Sequence, residues 1–576
     1  MLKRNIPTCF FIYALLLSVL FMSTCSDSTS SSASADLNPE TKENIARALG
    51  MREYIPELIS LDVMNHLGNV KNSKQAFGER MQSRILDLLA NPENCTPDYT
   101  DRYTTLYDYS AELTPHQAYA MNNLLGLDSS RGYQKLPTEI AFQFPYDDRP
   151  QYPYQVGWHF FVGSAFTATG QEYSVQLMFW RYSLLPPEMG KTENLSDLEN
   201  QIVEIHFAIS ALNDRHYRIK PVVLAGTTGL ISFSENPFCY AIGKNKLTSL
   251  ANDSLFPLRL QAWGIDNRDN APVEIAIDIT LNQTKGYVLN GDQGLSPSCG
   301  GVGTLYYSVP NLRLEPSKSW LSIDGAQAQL TDGKFWYDHQ WGTGFMPSGN
   351  PRSDVLRAVG AQEELKPGGW DWMEIQFDDD TEIALSALHT NENAAFYCQT
   401  GANPPGNMTA DAKGSYIQLN GEYETITATI LVTEWIKSIV EDDQYEATHT
   451  WYPNRVEVTV AKDTIPEDKR HFIMTPIVST GQQGYFASGV QYSEGAVIIE
   501  STDGKRIGVG FLENVGYADS RKQNLRMAGL PDTDEMVLLF SPVQVSEEVK
   551  NECKAFIEEP DNFTRLMEEL ADCKGL

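Results

Sequence analysis

One short segment of the chain carries the residue types best suited to chemistry, and it reads Phe335-Trp336-Tyr337-Asp338-His339-Gln340-Trp341-Gly342. If the segment is a β-strand, Tyr337, His339 and Trp341 share one face and Asp338 lies on the other. A histidine between aromatic side chains in a barrel interior can donate and accept protons near neutral pH. The alternative is a hydrogen-bonded core histidine, and the local sequence leaves both interpretations open.

A second candidate segment runs from Trp370 to Phe377. Strand alternation places Trp370, Trp372 and Glu374 on one face, whereas the opposite face is mostly apolar. Two indoles beside a carboxylate could line a ligand pocket, although tryptophan-rich strands also fill cores.

The remaining motifs exclude several classes of enzyme. The sequence has no Gly-x-Ser-x-Gly elbow, no P-loop and no dinucleotide fingerprint. No Cys-x-x-Cys or His-x-x-x-His spacing indicates a metal site. Local motifs therefore give no support to nucleophilic serine hydrolysis, and we expect no metal.

Composition limits the partners. The 576 residues include 44 basic and 75 acidic side chains, for a net charge of −31. This charge disfavours nucleic acid and anionic membrane surfaces as partners. The length exceeds what one hydrophobic core serves, so at least two domains are expected.

The amino terminus predicts export. A basic start and a short apolar run make residues 1–25 a signal peptide, and the Ser-rich residues 26–37 a tether. Cys25 stands where a bacterial lipoprotein carries its lipidated cysteine, although Thr24 before it is larger than usual. Lipidation at Cys25 is favoured over ordinary cleavage, and it would be the protein's one link to a membrane. The expected location is the cell envelope, or the medium if the signal is simply cleaved.

Elements that position the candidate residues follow from the sequence patterns. Residues 38–140 have helical spacing and predict a helical extension. From Phe142 onward, short alternating segments between turns predict a mainly β fold. A Gly-Trp strand start recurs at Gly157 and Gly369, which favours two tandem β-barrels, at 141–325 and 326–545. Residues 546–576 predict a helical hairpin, with Cys553 and Cys573 on its apolar faces as a disulfide or as buried thiols.

Several fragments together resemble the AttH/carotenoid 1,2-hydratase family. The principal ones are Leu305–Ser308, Gly333–Gly342 and Gly369–Trp372, and the supporting ones are Gln176–Arg181, His206–Ala208, Gly291–Gly294, Tyr492–Gly495 and Gly510–Tyr517. They occur in consistent order from about residue 142 to 518. The resemblance implies two lipocalin-like β-barrel domains and a hydrophobic small-molecule site near their junction.

The resemblance also implies a reaction. In the hydratases an acid protonates an isolated alkene and water captures the cation, without a cofactor. His339 and Trp341 match the family's His-x-Trp positions, so His339 or Asp338 is the expected proton-handling group. We expect the ligand, a hydrophobic, isoprenoid-like molecule, to contact aromatic residues, namely Tyr337, Trp341, Trp370, Trp372 and Trp158. A regular strand cannot turn both Asp338 and His339 toward one cavity, so a bulge or strand end would be required.

The sequence departs from the family at one motif. Where the family has Glu-Trp-Trp-Tyr, this chain has Gly157-Trp158-His159-Phe160, so an acid and a hydroxyl are absent. Two functions therefore stay open. One is an exported hydratase or isomerase, slightly favoured because the Asp-His-x-Trp segment is intact. The other is a lipocalin-type carrier that binds a lipid without chemistry.

Overall fold

The computed structural model describes residues 133–517 except for the following gaps: 184–186, 193, 213–214, 220, 227–228, 268–270, 297–302, 344–368, 390–400, 438–449, 479–485 and 488–489. The described part is mainly β, as the alternating sequence predicts, and its strands form two antiparallel sheets. The single α-helix within these described ranges is Pro187–Thr192. Three short 3-10 helices accompany it, at Tyr146–Asp148, Pro316–Lys318 and Glu467–Lys469.

The first sheet has 14 strands. They are β1 Val156–Thr167, β2 Glu172–Ser183, β3 Gln201–Ala211, β4 His216–Arg218, β5 Val222–Ala225, β6 Ile231–Glu235, β7 Phe238–Ile242, β8 Asn245–Ser249, β9 Leu258–Asp266, β10 Val273–Asn282, β11 Val288–Leu289, β12 Gly303–Leu314, β13 Trp320–Ile323 and β14 Ala326–Thr343. The main path runs β4-β3-β2-β1-β14-β12-β10-β9-β8-β7-β6. Ile205 near one end and Tyr240 near the other belong to the same apolar core, so the sheet curls around that core.

Strand β14 lies at the centre of this first sheet. It pairs with β1 from Gly342 to Leu330 and with β12 on its other side. The sequence analysis places the domain boundary near residue 325, whereas residues 326–343 belong to the first sheet. A Gly-Trp repeat cannot reveal this, because strand pairing and not sequence order decides which sheet a strand joins.

The second sheet has nine strands, and eight of them close into a barrel. They are β15 Gly369–Phe377, β16 Glu382–His389, β17 Met408–Ile417, β18 Tyr423–Lys437, β19 Trp451–Val460, β20 His471–Pro476, β21 Phe486–Ala487, β22 Val490–Ser501 and β23 Arg506–Val515. The pairing of β20 with β22 closes the ring, which leaves β21 at its margin. One closed barrel and one large curled sheet are consistent with the lipocalin-like fold expected from the sequence.

Strand alternation creates three apolar clusters from two sheets. Inward side chains of the first sheet, such as Phe161 and Tyr337, form its core, and Met373 and Ile375 belong to the barrel core. A third cluster, which includes Phe160, Trp336 and Trp372, lies between the two sheets. The strands at this junction are therefore buried on both faces.

Gly342 lets β14 and β12 approach closely, and this predicts a stability effect. A Cβ atom on Gly342 would lie 1.9 Å from the Gly303 carbonyl oxygen and 2.7 Å from the Thr304 Cα atom. Because backbone cannot yield as a flexible side chain does, we expect Gly342→Ala to lower the free energy of unfolding by about 1–3 kcal/mol. Urea unfolding followed by circular dichroism measures the change.

Gly406 provides the control for that substitution. A Cβ atom there meets nothing within 4 Å. We expect Gly406→Ala to change stability by no more than about 0.5 kcal/mol. Equal losses in the two variants would contradict the close-approach explanation.

Several sequence-based expectations concern other parts of the chain. The signal peptide, Cys25, the tether and the carboxy-terminal hairpin with Cys553 and Cys573 lie outside the described residues. The helical extension 38–140 does so as well, except for residues 133–140, which form no helix. No helix among the described residues is long and apolar enough to cross a membrane.

Candidate active site

A cavity of about 580 Å³ lies between the outer face of the first sheet and the outer wall of the barrel. Lining side chains on the first sheet come from the central strands, including Trp158, Trp180, Tyr306 and Asp338; those on the barrel include Trp370, Trp372, Glu494 and Glu513. A volume of this size suits a small organic ligand. We call this space the inter-sheet cavity.

Four indoles give the cavity its aromatic character. Trp158 and Trp180 stand side by side on β1 and β2, with ring centroids 4.5 Å apart and planes within 2° of parallel. From the barrel wall, Trp372 donates its indole N–H to the Tyr306 hydroxyl at 2.8 Å. Trp370 and Trp372 are adjacent same-face positions of β15, so a period of two directs both into the cavity.

Asp338 is the most strongly held acid of the site. It is 4% exposed, and its Oδ1 accepts hydrogen bonds from the Trp336 indole at 2.7 Å and from the Ser308 hydroxyl. Its Oδ2 accepts one from the Tyr306 hydroxyl at 2.7 Å. Burial raises the pKa of Asp338 to about 7, against the opposing effect of these three donors. The carboxyl group can therefore hold or release a proton near neutral pH.

Two glutamates face Asp338 from the barrel wall. Glu494 on β22 and Glu513 on β23 occupy directly paired register positions, so their carboxyl groups are neighbours. Gln176 of the first sheet donates to Glu494, and the Trp370 indole donates to Glu513. Burial raises the pKa of Glu513 to about 8, with a further contribution from the charge of Asp338. Burial and the charge of Glu513 likewise raise the pKa of Glu494.

His339 lies on the other face of β14, inside the core of the first sheet. Its Nδ1 is 2.7 Å from the Trp158 carbonyl oxygen and its Nε2 is 3.1 Å from the Arg149 carbonyl oxygen. The ring stacks on His159 with centroids 4.0 Å apart. Burial lowers the pKa of His339 to about 4, so the imidazole is neutral at physiological pH. No part of His339 lines the inter-sheet cavity.

The other residues proposed from the sequence lie either at the inter-sheet cavity or on the opposite side of their sheet, because side chains alternate along a strand. Trp158, Trp370 and Trp372 line the inter-sheet cavity together with Asp338. Tyr337 instead stacks on Phe161 in the core, with ring centroids 4.5 Å apart. Trp341 lines a separate cavity of about 480 Å³ beside residues 134–154. Strand β14 is regular at this point, so the expected group of Asp338, His339 and Trp341 does not meet in one cavity.

Sequence reasoning missed Tyr306, Glu494 and Glu513 as site residues. All three lie within fragments that resemble the family, at Leu305–Ser308, Tyr492–Gly495 and Gly510–Tyr517. The signal was therefore present in the sequence. Without strand pairing, however, nothing indicates that residues so distant along the chain contribute to one cavity.

The raised carboxyl pKa values predict a dependence of stability on pH. Asp338 and Glu513 bind protons more tightly in the folded protein than in the unfolded chain, so their contribution is full at low pH and is lost as pH rises through about 7 to 8. The lowered pKa of His339 makes the free energy of unfolding rise with pH, but only below about pH 6.5. We expect the free energy of unfolding to fall by at least about 2 kcal/mol between about pH 6.5 and 8.5.

Urea unfolding at a series of pH values in this window measures that dependence. Asp338→Asn removes one of the titrating groups and should flatten the slope. A free energy of unfolding that stays constant or rises toward pH 8.5 would contradict the interpretation.

The described residues contain no group of three or more histidine, cysteine, aspartate or glutamate side chains arranged to hold a metal ion. The side chains of the inter-sheet cavity that can take part in chemistry include carboxyl groups, a tyrosine hydroxyl and indoles.

Comparisons with known proteins identify the family. A family model described as AttH-like matches residues 135–517. A crystal structure described as a candidate AttH from Nitrosomonas europaea is 17% identical, with a TM-score of 0.46, over 67% of this chain and 100% of that one. Kievitone hydratase from Nectria haematococca is 15% identical, with a TM-score of 0.42, over 68% of this chain and 98% of that one. No curated protein matches the sequence. The family model matches well over half of the chain, in agreement with the fragments found in the sequence. This protein therefore belongs to the AttH-like family.

Proposed function

We propose that this protein is a cofactor-independent hydratase that adds water to an alkene of an apolar small molecule bound in the inter-sheet cavity. The observation that carries the proposal is Asp338, a buried carboxyl group held by three donors in a cavity of indoles. Membership of a family that includes hydratases supports the reaction class. An isomerase that returns the proton to solvent would use the same first step.

Asp338 is the proposed proton donor. Protonation of one alkene carbon forms a C–H bond from the π electrons, leaves Asp338 as a carboxylate and places positive charge on the other carbon. The faces of Trp158, Trp180 and Trp372 can stabilise that charge. Tyr306 keeps the acid in place, and burial raises the pKa of its own hydroxyl well above the ordinary value, so it stays neutral.

Glu494 and Glu513 are the proposed base. Water forms the C–O bond with the cation, and one of the two carboxylates accepts the proton that the water loses. Because two adjacent carboxyl groups in a buried site resist double ionisation, they readily share one proton. The protonated glutamate then releases its proton to solvent and Asp338 takes one up, which restores the starting form of each acid. Overall, one water molecule is consumed and no redox change occurs.

His339 is not used in this proposal as a proton donor. It lies in the core behind β14, between two carbonyl oxygens, and we propose that it supports the strand that presents Asp338. Trp341 and Tyr337 are assigned the same supporting role, because they share its face of the strand.

A non-catalytic carrier is the second candidate, and the departure at Gly157–Phe160 favours it. Phe160 lines the cavity where the family has a tyrosine hydroxyl, so one polar group is missing from the site. The missing acid at Gly157 lies elsewhere, because a Cβ atom there would be 3.4 Å from Arg181 Nε. That nitrogen is buried and has no hydrogen-bond partner, which suggests that the family's acid pairs with Arg181 and has no chemical role.

Turnover in labelled water tests the two candidates. The purified protein is incubated with a panel of apolar alkenes, both isoprenoids and prenylated aromatics, in H₂¹⁸O, and products are analysed by mass spectrometry. If the protein is a hydratase, we expect an alcohol product that carries the ¹⁸O label. Binding of panel members by calorimetry, with no labelled product from any of them, would favour the carrier.

Export remains a proposal based on the first 37 residues of the sequence. We propose that the protein resides in the cell envelope, anchored by lipid at Cys25 if the signal is of the lipoprotein type. The mass of the mature chain from its own host tests this. A chain that begins at Cys25 with acyl groups supports the anchor, whereas one that begins later supports secretion.

The tandem-barrel organisation also remains a proposal. We propose that the curled first sheet is an opened counterpart of the closed second barrel. Their shared Gly-Trp strand starts at β1 and β15, which face each other across the cavity, support this interpretation.

A further inference from the structure

The inter-sheet cavity combines acidic side chains and indole rings, a pair of features that suits a positively charged ligand. Its three buried or half-buried acids, Asp338, Glu494 and Glu513, come from both walls. Among the described residues that line it, Lys413 is the one cation, and it lies on the exposed rim with Asp292 and Asp411. The interior is therefore negative whenever any of its acids is ionised.

Indoles occupy the surface between these acids. The Trp158–Trp180 stack lies on the first wall and Trp370 and Trp372 on the second. Aromatic faces attract cations through their quadrupole, and indole does so most strongly. The indole N–H groups of Trp370 and Trp372 are already bonded to Glu513 and Tyr306, so these rings are fixed by their edges. Both rings line the cavity, so a ligand bound there would contact them.

The same surroundings do not suit a metal ion. A hard cation such as Ca²⁺ or Mg²⁺ requires about six close oxygen ligands. Within the described residues no such group of side chains exists, and the cavity has the volume of a drug-sized molecule. A bulky organic cation fills the volume and gains from both the carboxylates and the rings.

We propose that the inter-sheet cavity recognises positively charged apolar molecules of the quaternary or tertiary ammonium class, held by the Glu494–Glu513 pair and the indole faces. This inference rests on the proposed function only for the choice of cavity. A bound ammonium group would occupy the place that the carbocation occupies in the proposed hydration. It would bind equally well to a carrier that performs no chemistry.

Two isosteric probes test the charge directly. Phenyltrimethylammonium and tert-butylbenzene have nearly the same shape and differ by one positive charge. Isothermal titration calorimetry on the full chain, at about pH 8.5, compares the two probes under conditions in which Glu513 is mostly ionised, since burial raises the pKa of Glu513 to about 8. We expect the cation to bind about tenfold more tightly, or better, because cation–π and carboxylate contacts add to the shared apolar contact.

Substitutions of cavity residues test whether the preference for the cation arises in this cavity. Glu513→Gln and Glu494→Gln preserve shape and should each reduce the preference for the cation at least about threefold, while tert-butylbenzene binds as before. Trp158→Leu, which changes no charge, should weaken the cation more than the neutral probe. Glu274→Gln removes an exposed acid elsewhere on the first sheet and serves as the matched control. Circular dichroism confirms that each variant is folded.

The outcomes separate this inference from the proposed function. Equal affinity for the two probes, or no binding of either, overturns the cation inference and leaves the turnover assay in labelled water to decide the reaction. A preference for the cation that survives in both glutamine variants and in Trp158→Leu overturns it as well. A preference lost in those variants and kept in Glu274→Gln supports it, whether or not the protein catalyses hydration.

Discussion

Replacement of Asp338 by asparagine is expected to reduce hydration by about 10²–10⁴-fold, because the variant lacks the acid that protonates the alkene. Asparagine has nearly the same shape and can still accept the hydrogen bonds from Ser308 and Trp336 at one oxygen. The loss should appear in kcat, while the affinity for the ligand changes little, because the indole surfaces remain. Single-turnover measurement of the labelled alcohol, together with calorimetric titration of the same alkene, separates the two quantities.

Two control variants make this result specific. Asp332→Asn removes an exposed carboxylate from the same strand and should leave turnover unchanged. His339→Gln alters the residue that the sequence analysis favours equally, but on the opposite face of the strand. In folded protein we expect it to keep most of the turnover. Loss of turnover in His339→Gln with full activity in Asp338→Asn would contradict the assignment of the acid.

Replacement of Lys285 by methionine is expected to lower the free energy of unfolding by about 3–5 kcal/mol, because it removes the ion-pair partner of the buried Glu382. Lys285 lies in a loop of the first sheet, and its Nζ is 2.6 Å from Glu382 Oε2 and 2.8 Å from the Gln418 carbonyl oxygen. The two side chains are 4% and 0% exposed. Burial raises the pKa of Glu382 to about 7 even with Lys285 present. The pair therefore joins the first sheet to the barrel at one side of the inter-sheet cavity.

A double variant and an exposed pair provide the controls for this prediction. Glu382→Gln removes the buried acid that has lost its partner, so the double variant Lys285→Met/Glu382→Gln should be more stable than Lys285→Met by at least about 1 kcal/mol. Lys462→Met breaks an ion pair with Glu424 in which both side chains are about one third exposed, and should cost less than about 1 kcal/mol. Urea unfolding of the three variants measures all of these differences. Similar losses for Lys285→Met and Lys462→Met would contradict the role assigned to burial.

Much of the fold follows from local patterns in the sequence. Alternation in segments such as 172–180 and 455–460 predicts strands, because successive side chains of an extended chain point to opposite faces. The same rule separates Asp338 from His339, and it needs no knowledge of neighbouring strands. Fragments that resemble the AttH-like family indicate membership of that family, which the match over residues 135–517 confirms. The closed barrel and the large curled sheet are consistent with the lipocalin-like architecture that the family implies.

Only the tertiary structure decides which face of each strand packs against which sheet. Asp338 and His339 are equally plausible acids in the sequence, and they differ because the outer face of β14 meets the barrel, whereas His339 on its inner face lies in the core of the first sheet. Glu494 and Glu513 join the site because antiparallel pairing sets them opposite each other, and Lys285 reaches Glu382 across 97 positions of the chain. The amino-acid sequence by itself determined the strands, their alternating faces and the family. The cavity, the shifted carboxyl pKa values and the division of roles along β14 depend on long-range packing, because burial and pairing are properties of the assembled sheets and not of any segment.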